Sequence, residues 1–205
     1  MDSPIVLLAI GFIYIPVFGG LSLLRREGLS MRFAIESVIF TCLVTLFRWL
    51  TGVIIHPAIF LFVLYIVTMR IRLLVDIGNI SARRRNFTTA EKIYNLALQL
   101  WPDPGNRLIV EVNKGTLLLQ QGALDESINL FQNLLRGSDQ GFMGIRYESA
   151  THYNLGIAFR RKGLESQAVK EFNTVLEIWP VSEYARAASN ALARHNQSQK
   201  PKPEA

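Results

Sequence analysis

Apolar and polar positions are distributed very unevenly along this chain. From Pro4 to Met69 there are long apolar runs that few charged residues interrupt, whereas from Arg70 onward the sequence is charged, amphipathic and periodic. Apolar residues repeating at helical spacing beside charged ones are typical of helices that pack on one face and meet water on the other. The pattern predicts an all-α protein whose first third lies in lipid and whose remainder lies in water.

The apolar third has the lengths expected of membrane-spanning helices. Ser3 to Leu24 is one such stretch, because about 20 residues rising ~1.5 Å each match a ~30 Å hydrocarbon core. Phe33 to Met69 is too long for one crossing, so we expect a helical hairpin, whose turn is expected at Arg48, Thr51 and Gly52. The predicted transmembrane region is residues 1–70, with three spans at about 4–24, 33–47 and 53–69, or alternatively two spans.

The positive charge is concentrated beside the predicted spans. The formal net charge is +6, and many of the cations are arginines that flank the apolar runs, which explains the charge without a nucleic-acid partner. Lys and Arg prefer the cytoplasmic ends of spans. With three spans, both basic clusters fall on the cytoplasmic side, whereas two spans would separate them. We therefore expect an integral membrane protein of a prokaryotic cell membrane or thylakoid, with its polar part in the cytoplasm. The clusters are Arg25, Arg26 and Arg32, and Arg70, Arg72, Arg83, Arg84 and Arg85.

Charged residues inside the apolar third have an ordinary structural interpretation. Arg32 and Glu36 stand at i,i+4 spacing and can form an ion pair. Arg48 can extend from the predicted turn to the membrane interface. The pair His56-Pro57 is expected to interrupt the last span.

A Trp-Pro phrase occurs twice in the polar part. "YNLALQLWPDP" and "FNTVLEIWPVS" place their prolines, Pro102 and Pro180, 78 residues apart. The stretch from Ser149 to Pro180 resembles the tetratricopeptide repeat (TPR), a helix-turn-helix unit of about 34 residues. The signature positions are occupied by Leu155, Gly156, Phe159, Gly163, Ala168, Phe172, Leu176 and Pro180.

The resemblance extends to two earlier units. In one, Lys114 and Ser127 replace the usual apolar residue and Ala; in the third unit, His152 replaces the usual Trp and is expected to be a packed or half-buried histidine. The fold expected is N-terminal transmembrane helices followed by a TPR superhelix. Its repeats occupy residues 71–104, 108–141 and 149–182, a capping helix 183–196 and a disordered tail 197–205.

Two segments raise questions beyond the repeat itself. No Gly or Pro separates the last span from Ile71, so the span and the first repeat are expected to share one helix, with Arg83, Arg84 and Arg85 near anionic headgroups. The insertion Gly137–Tyr147 is either a spacer or a loop that grips a partner through Phe142 and Met143.

Signatures of catalysis are missing from the sequence. It contains no phosphate-binding glycine loop, zinc-protease helix, cysteine pair or nucleophile elbow. We expect no enzyme activity, no cofactor, no metal site and no small-molecule substrate.

The resemblance to TPR proteins implies a binding function. Tandem repeats present the first helix of each unit on a concave groove that holds a peptide segment or helix of a protein partner. We expect a membrane-anchored adaptor or scaffold, in the assembly of a membrane complex; on architecture alone, it is similar to photosystem I assembly factors. The alternative is a structural accessory subunit of a membrane transporter, secretion or photosynthetic complex. The implied groove residues are Asn79, Arg83, Asn113, Thr116, Gln120, Tyr153, Asn154, Ile157 and Arg160.

Overall fold

A computed structural model describes residues 4–24, 31–137 and 143–198. Within these residues the chain is all-helical, with nine helices and no strand. Its contacts form two compact units, Met1–Val110 and Glu111–Ala205. The helices are α1 Pro4–Leu24, α2 Met31–Thr51, α3 Pro57–Arg83, α4 Phe87–Gln99, α5 Pro104–Gln121, α6 Leu124–Gly137, α7 Ile145–Arg161, α8 Glu165–Ile178 and α9 Glu183–Ser198.

The apolar part of the first unit consists of α1, α2 and α3. By length and composition, α2 and α3 could each cross a membrane, and Ile5–Leu21 within α1 is a shorter apolar segment. Of the three predicted turn residues, Arg48 and Thr51 belong to α2, and only Gly52, whose φ is 69°, lies in the turn that follows it. His56-Pro57 does not interrupt a span but starts α3. Proline suits the first turn of a helix, and His56 Nδ1 accepts a hydrogen bond from the Ala58 N–H at 3.2 Å.

Helix α2 has the reverse of the usual polarity of a helix in water. Its buried residues are Ser37, Thr41, Thr45 and Arg48, while large apolar side chains such as Leu43 are exposed. The hydroxyls of Ser37 and Thr41 donate to carbonyls one turn earlier, so their polar groups are satisfied within the helix. Helices that pack in lipid use small and polar residues at their contacts and turn apolar side chains outward.

A buried stripe runs without a break along α3. At its start the stripe meets the core of the apolar helices, which contains Leu7 and Tyr14. Toward its end Gly78 lies against the Tyr94 ring of α4. As expected, one helix runs without a break through Met69 and Ile71, from Pro57 to Arg83. The members of the stripe are Phe60, Leu64, Thr68, Ile71, Val75, Gly78 and Ala82.

Three helix pairs repeat one close contact between a glycine and an aromatic ring that follows it by 16 residues. A Cβ added to Gly78 would lie 2.4 Å from Tyr94 Cε1, one added to Gly115 2.5 Å from Phe131 Cε1, and one added to Gly156 2.7 Å from Phe172 Cε1. Real Cβ contacts are longer, so only glycine lets the helices approach this closely. The described residues therefore form a helical repeat.

The turns of the three hairpins also match. Arg85, Gly122 and Gly163 have φ of 59°, 86° and 80°. In each turn the next N–H bonds to a carbonyl five residues earlier, from Asn86 to Ser81 at 3.0 Å, from Ala123 to Leu118 at 3.0 Å and from Leu164 to Phe159 at 2.9 Å. This is the left-handed helix end that glycine favours, and the first repeat forms it with an arginine.

The remaining boundaries differ from expectation by a few residues. Helix α9 extends to Ser198, two residues into the predicted tail, and residues 199–205 lie outside the described residues. Of the insertion, residues 138–142 lie outside the described residues as well, including Phe142. Met143 is half-buried, and α7 already begins at Ile145.

We expect Gly156→Ala to reduce the free energy of unfolding by about 1–3 kcal/mol, the usual cost of overpacking a well-packed contact. The added methyl group would meet the Phe172 ring at 2.7 Å. Gly137→Ala is the matched control, because nothing lies within 4 Å of its added Cβ. Thermal unfolding of the full chain in mild detergent, followed by circular dichroism, measures both. Equal unfolding midpoints for the two variants would contradict the prediction, because they would show that the close contact at Gly156 tolerates a methyl group without loss of stability.

Candidate functional site on the helical repeat

In the first unit, one predicted groove residue is held inside its own hairpin. Asn79 is half-buried, and its Oδ1 accepts a hydrogen bond of 2.7 Å from the Tyr94 hydroxyl. Burial raises the pKa of Tyr94 to about 12, so the phenol remains a donor at neutral pH. This contact orients the Asn79 amide. Arg83, at the last turn of α3, is exposed.

In the second unit, two predicted groove residues from neighbouring hairpins touch. Asn154 Nδ2 on α7 donates to Thr116 Oγ1 on α5 at 3.1 Å. The Thr116 hydroxyl in turn donates to the Val112 carbonyl at 2.9 Å. Both side chains are half-buried, as is Asn113 one turn earlier on α5, while Gln120 is exposed. Amide and hydroxyl groups thus lie side by side on the first helices of two repeats.

An aromatic cluster lies beside these polar groups. The Tyr153 ring is 5.9 Å from the Phe172 ring and 6.1 Å from the Tyr184 ring, centroid to centroid. The Arg160 guanidinium lies 5.7 Å from the Phe172 centroid, within cation–π range. Ile157, between them on α7, is half-buried. Tyr184 belongs to α9, so the predicted capping helix supplies part of this surface; burial chiefly, with the nearby Glu183 charge, raises its pKa.

Polar contacts join the second and third hairpins at their turns. Arg161 Nη1 donates to the Leu119 carbonyl at 2.8 Å, and Lys162 pairs with Asp125. The unusual Ser127 is also accounted for, since its buried hydroxyl donates to the Gly115 carbonyl at 3.0 Å. A serine in place of alanine therefore adds a bond between the paired helices without adding bulk.

His152 is half-buried, as expected, and its Nδ1 lies 2.6 Å from Glu171 Oε2 on the partner helix of its hairpin. Across the described ranges, no group of three His, Cys, Asp or Glu side chains could hold a metal ion.

A second polar cluster lies where the apolar helices of the first unit meet the first repeat. Glu36 accepts from Arg32 Nε at 2.8 Å, which confirms the expected pair. It also accepts from Arg70, at 2.7 Å on Oε2 and 3.0 Å on Oε1. Sequence reasoning missed Arg70, because it is 34 residues away and no local spacing links the two. We call Arg32, Glu36 and Arg70 the charged junction.

The loop between α4 and α5 lies against the charged junction. Pro102, Asp103 and Asn106 line one small pocket together with the three charged residues. Asp103 is fixed by the Asn106 side chain, whose Nδ2 donates to Asp103 Oδ2 at 2.6 Å.

The arginines Arg83 to Arg85 lie at the other end of this hairpin. Arg83 is 13 residues beyond Arg70 on a continuous helix, which corresponds to about 20 Å. An α3 that stands along the membrane normal would hold these arginines beyond the ~8–10 Å Debye length from the headgroups. The expected contact of the three arginines with anionic headgroups stays a prediction.

Neither a model of a known protein family nor a curated protein matches this chain. Within the second unit, Thr116, Tyr153, Asn154 and Arg160 form one polar and aromatic surface. Asn79 and Arg83 belong to the first unit, so a single groove through all nine residues stays a prediction.

We expect Tyr94→Phe to lower the free energy of unfolding by about 0.5–1.5 kcal/mol at neutral pH, because it removes the hydroxyl that donates to Asn79. The folded-state pKa of Tyr94, about 12, lies above the ordinary tyrosine value near 10. The stability that this difference contributes is fully present below pH ~10 and is lost as the pH rises through 12. Chemical unfolding of both proteins at pH 7 and 11 measures this. We expect the free energy of unfolding to fall more between pH 7 and pH 11 in the wild type than in the variant, and an equal or smaller fall in the wild type would contradict the prediction.

Proposed function

We propose that this protein is a membrane-anchored adaptor of the TPR type that holds a protein partner on the first helices of its repeats, in the assembly of a membrane complex. The observation that carries the proposal is the hairpin geometry, which occurs three times with the same glycine–aromatic contact and the same left-handed turn. Stacked hairpins of this kind bury a continuous core and leave one helix of each pair for binding.

The polarity of the apolar helices supports membrane anchoring. Thr41 and Ser37 are buried while Ile39 and Leu43 are more than half exposed, an arrangement that water would penalise and lipid favours. We propose three spans, α1, α2 and the first part of α3, with the repeats in the cytoplasm. The Arg32 and Arg70 side chains would then mark the cytoplasmic end of the spans.

The chemistry of the second unit's surface suits an extended peptide. An asparagine side chain offers both a donor and an acceptor to a peptide backbone. The Nδ2 group of Asn154 donates to Thr116 Oγ1 at 3.1 Å. Tyr153 provides an aromatic face beside it. A partner segment would gain polar contacts along its backbone and an apolar contact at one side chain.

The alternative is a structural accessory subunit that contacts its complex through the spans. Gly20 favours this possibility, because nothing lies within 4 Å of its added Cβ and a neighbouring helix could approach there. Gly11 does not, since it is already packed against Thr41. Purification from native membranes in mild detergent separates the two, because a subunit co-purifies in stoichiometric amounts with its complex.

We expect the double change Asn113→Ala with Asn154→Ala to weaken capture of the co-purifying partner about tenfold, since ~1.4 kcal/mol of lost hydrogen bonding is sufficient. The matched control is Gln132→Ala with Asn173→Ala, which removes two exposed amides from the second helices of the hairpins. The measurement is a pull-down of the partner with each variant, and circular dichroism checks that the variants have equal helicity. Undiminished capture by the first variant would move the binding surface to the spans and favour the subunit.

Cysteine labelling tests the proposed topology. In a Cys42→Ser background we expect Ile5→Cys and Val53→Cys to react with an impermeant reagent outside intact cells, and Lys170→Cys to react only after permeabilisation. Three spans place the first two residues outside and the third inside. Labelling of Val53→Cys without Ile5→Cys would leave two spans, α2 and α3. Labelling of Lys170→Cys in intact cells would invert the topology.

A further inference from the structure

Trp101 has an unusual conformation and an unusual environment. The residue is 80% exposed, and its backbone has a φ of 47°. A bulky residue rarely adopts the left-handed region, and a residue before proline favours extended backbone. Both preferences are overridden at Trp101, which precedes Pro102. An observed conformation of this kind is a reason to look for a role.

The other Trp-Pro phrase supplies an internal comparison. Trp179 also precedes a proline and also follows the second helix of a hairpin, yet its φ is −148°, which is ordinary extended backbone. It is half-buried, with its indole nitrogen enclosed by the protein. The sequence phrase therefore does not require an exposed indole. The outward position of Trp101 is particular to the first repeat.

The position of Trp101 in the first unit indicates what it meets. The residues that follow it, Pro102 and Asp103, line the pocket of the charged junction with Arg32, Glu36 and Arg70. Consecutive Cα atoms are about 3.8 Å apart, so Trp101 lies at the same level as the junction. That level is the end of the apolar helices, where the hydrocarbon core would give way to headgroups.

An exposed tryptophan near the opposite end of α2 is consistent with this level. Trp49 is 71% exposed, and the 17 residues that separate it from Arg32 correspond to about 26 Å of helix, close to the thickness of a hydrocarbon core. Trp49 and the charged junction are thus separated by about the thickness of one hydrocarbon core. Tryptophan is enriched at both membrane interfaces, because its ring is apolar and its N–H needs a polar partner.

We infer that Trp101 inserts its indole into the headgroup region of the bilayer and holds the first repeat against the membrane surface. The inference rests on the membrane anchoring proposed above. The occupant of the exposed indole is lipid, and the left-handed backbone of Trp101 distinguishes it from the half-buried Trp179. Trp101 is a second anchor. It lies at the end of the α3–α4 hairpin that is beside the charged junction, whereas Arg83 lies at the opposite end of this hairpin.

Depth-dependent fluorescence quenching tests the inference. The chain has three tryptophans, so replacing two at a time by Phe gives full-length proteins that keep only Trp49, only Trp101 or only Trp179. Each is reconstituted into phosphatidylcholine and phosphatidylglycerol vesicles that carry a nitroxide either at the headgroup or deep in the acyl chain. We expect the Trp101 protein to lose more emission to the headgroup label than to the deep label, and the Trp179 protein to lose little to either.

The Trp49 protein separates the two possible failures. Quenching of Trp49 without quenching of Trp101 would overturn the inference while the spans remain inserted, and would favour a protein partner on the indole. Quenching of neither would overturn membrane anchoring and the inference with it. Equal quenching of Trp101 and Trp179 would also overturn it. If the half-buried Trp179 cannot be replaced, Trp49→Phe with and without Trp101→Phe gives the Trp101 signal by difference.

Discussion

The structure of the first unit depends on one helix, α3, which packs against two different sets of neighbours. Its single buried stripe begins among the apolar helices, at Phe60 and Leu64, and ends at Gly78 and Ala82 against α4. Because the stripe keeps helical spacing throughout, the rotation of α3 about its axis among the apolar helices also fixes which face of α3 packs against α4. Glu36 reinforces this arrangement by binding Arg70 at the point where the neighbours change.

The parts of the fold that follow from local chemistry could be predicted from the sequence. Gly156 and Phe172 stand at positions where a helix pair needs a small residue opposite a ring, and the absence of Gly or Pro before Ile71 indicated a continuous helix. The partner of Glu36 across 34 residues could not be predicted, because no periodicity connects two residues on different helices. Of the predicted turn residues, Gly52 lies in the turn while Arg48 and Thr51 belong to α2. Pro57 was interpreted as an interruption of a span, whereas a proline at the first turn starts a helix.

Equal sequence phrases did not give equal local structure. Trp101 and Trp179 each precede a proline, but the φ of Trp101 is 47°, in the left-handed region, and the φ of Trp179 is −148°, in the extended region. Conversely, Arg85 adopts the turn that Gly122 and Gly163 form in the other hairpins. In both cases the local motif alone does not determine the backbone conformation. The predicted groove is similar: the sequence identified Thr116 and Asn154, and only the structure shows that they bond to each other.

The unbroken course of α3 also limits where the first repeat can search for a partner. A repeat on a flexible linker sweeps a volume that grows with linker length, and the effective concentration of its target falls accordingly. In the membrane-anchored adaptor proposed above, α3 has no hinge between Met69 and Ile71, so the first repeat would stay at a fixed height above the bilayer. A partner held in the same membrane at that height would be met at high local concentration, whereas a soluble partner would gain nothing from the anchor.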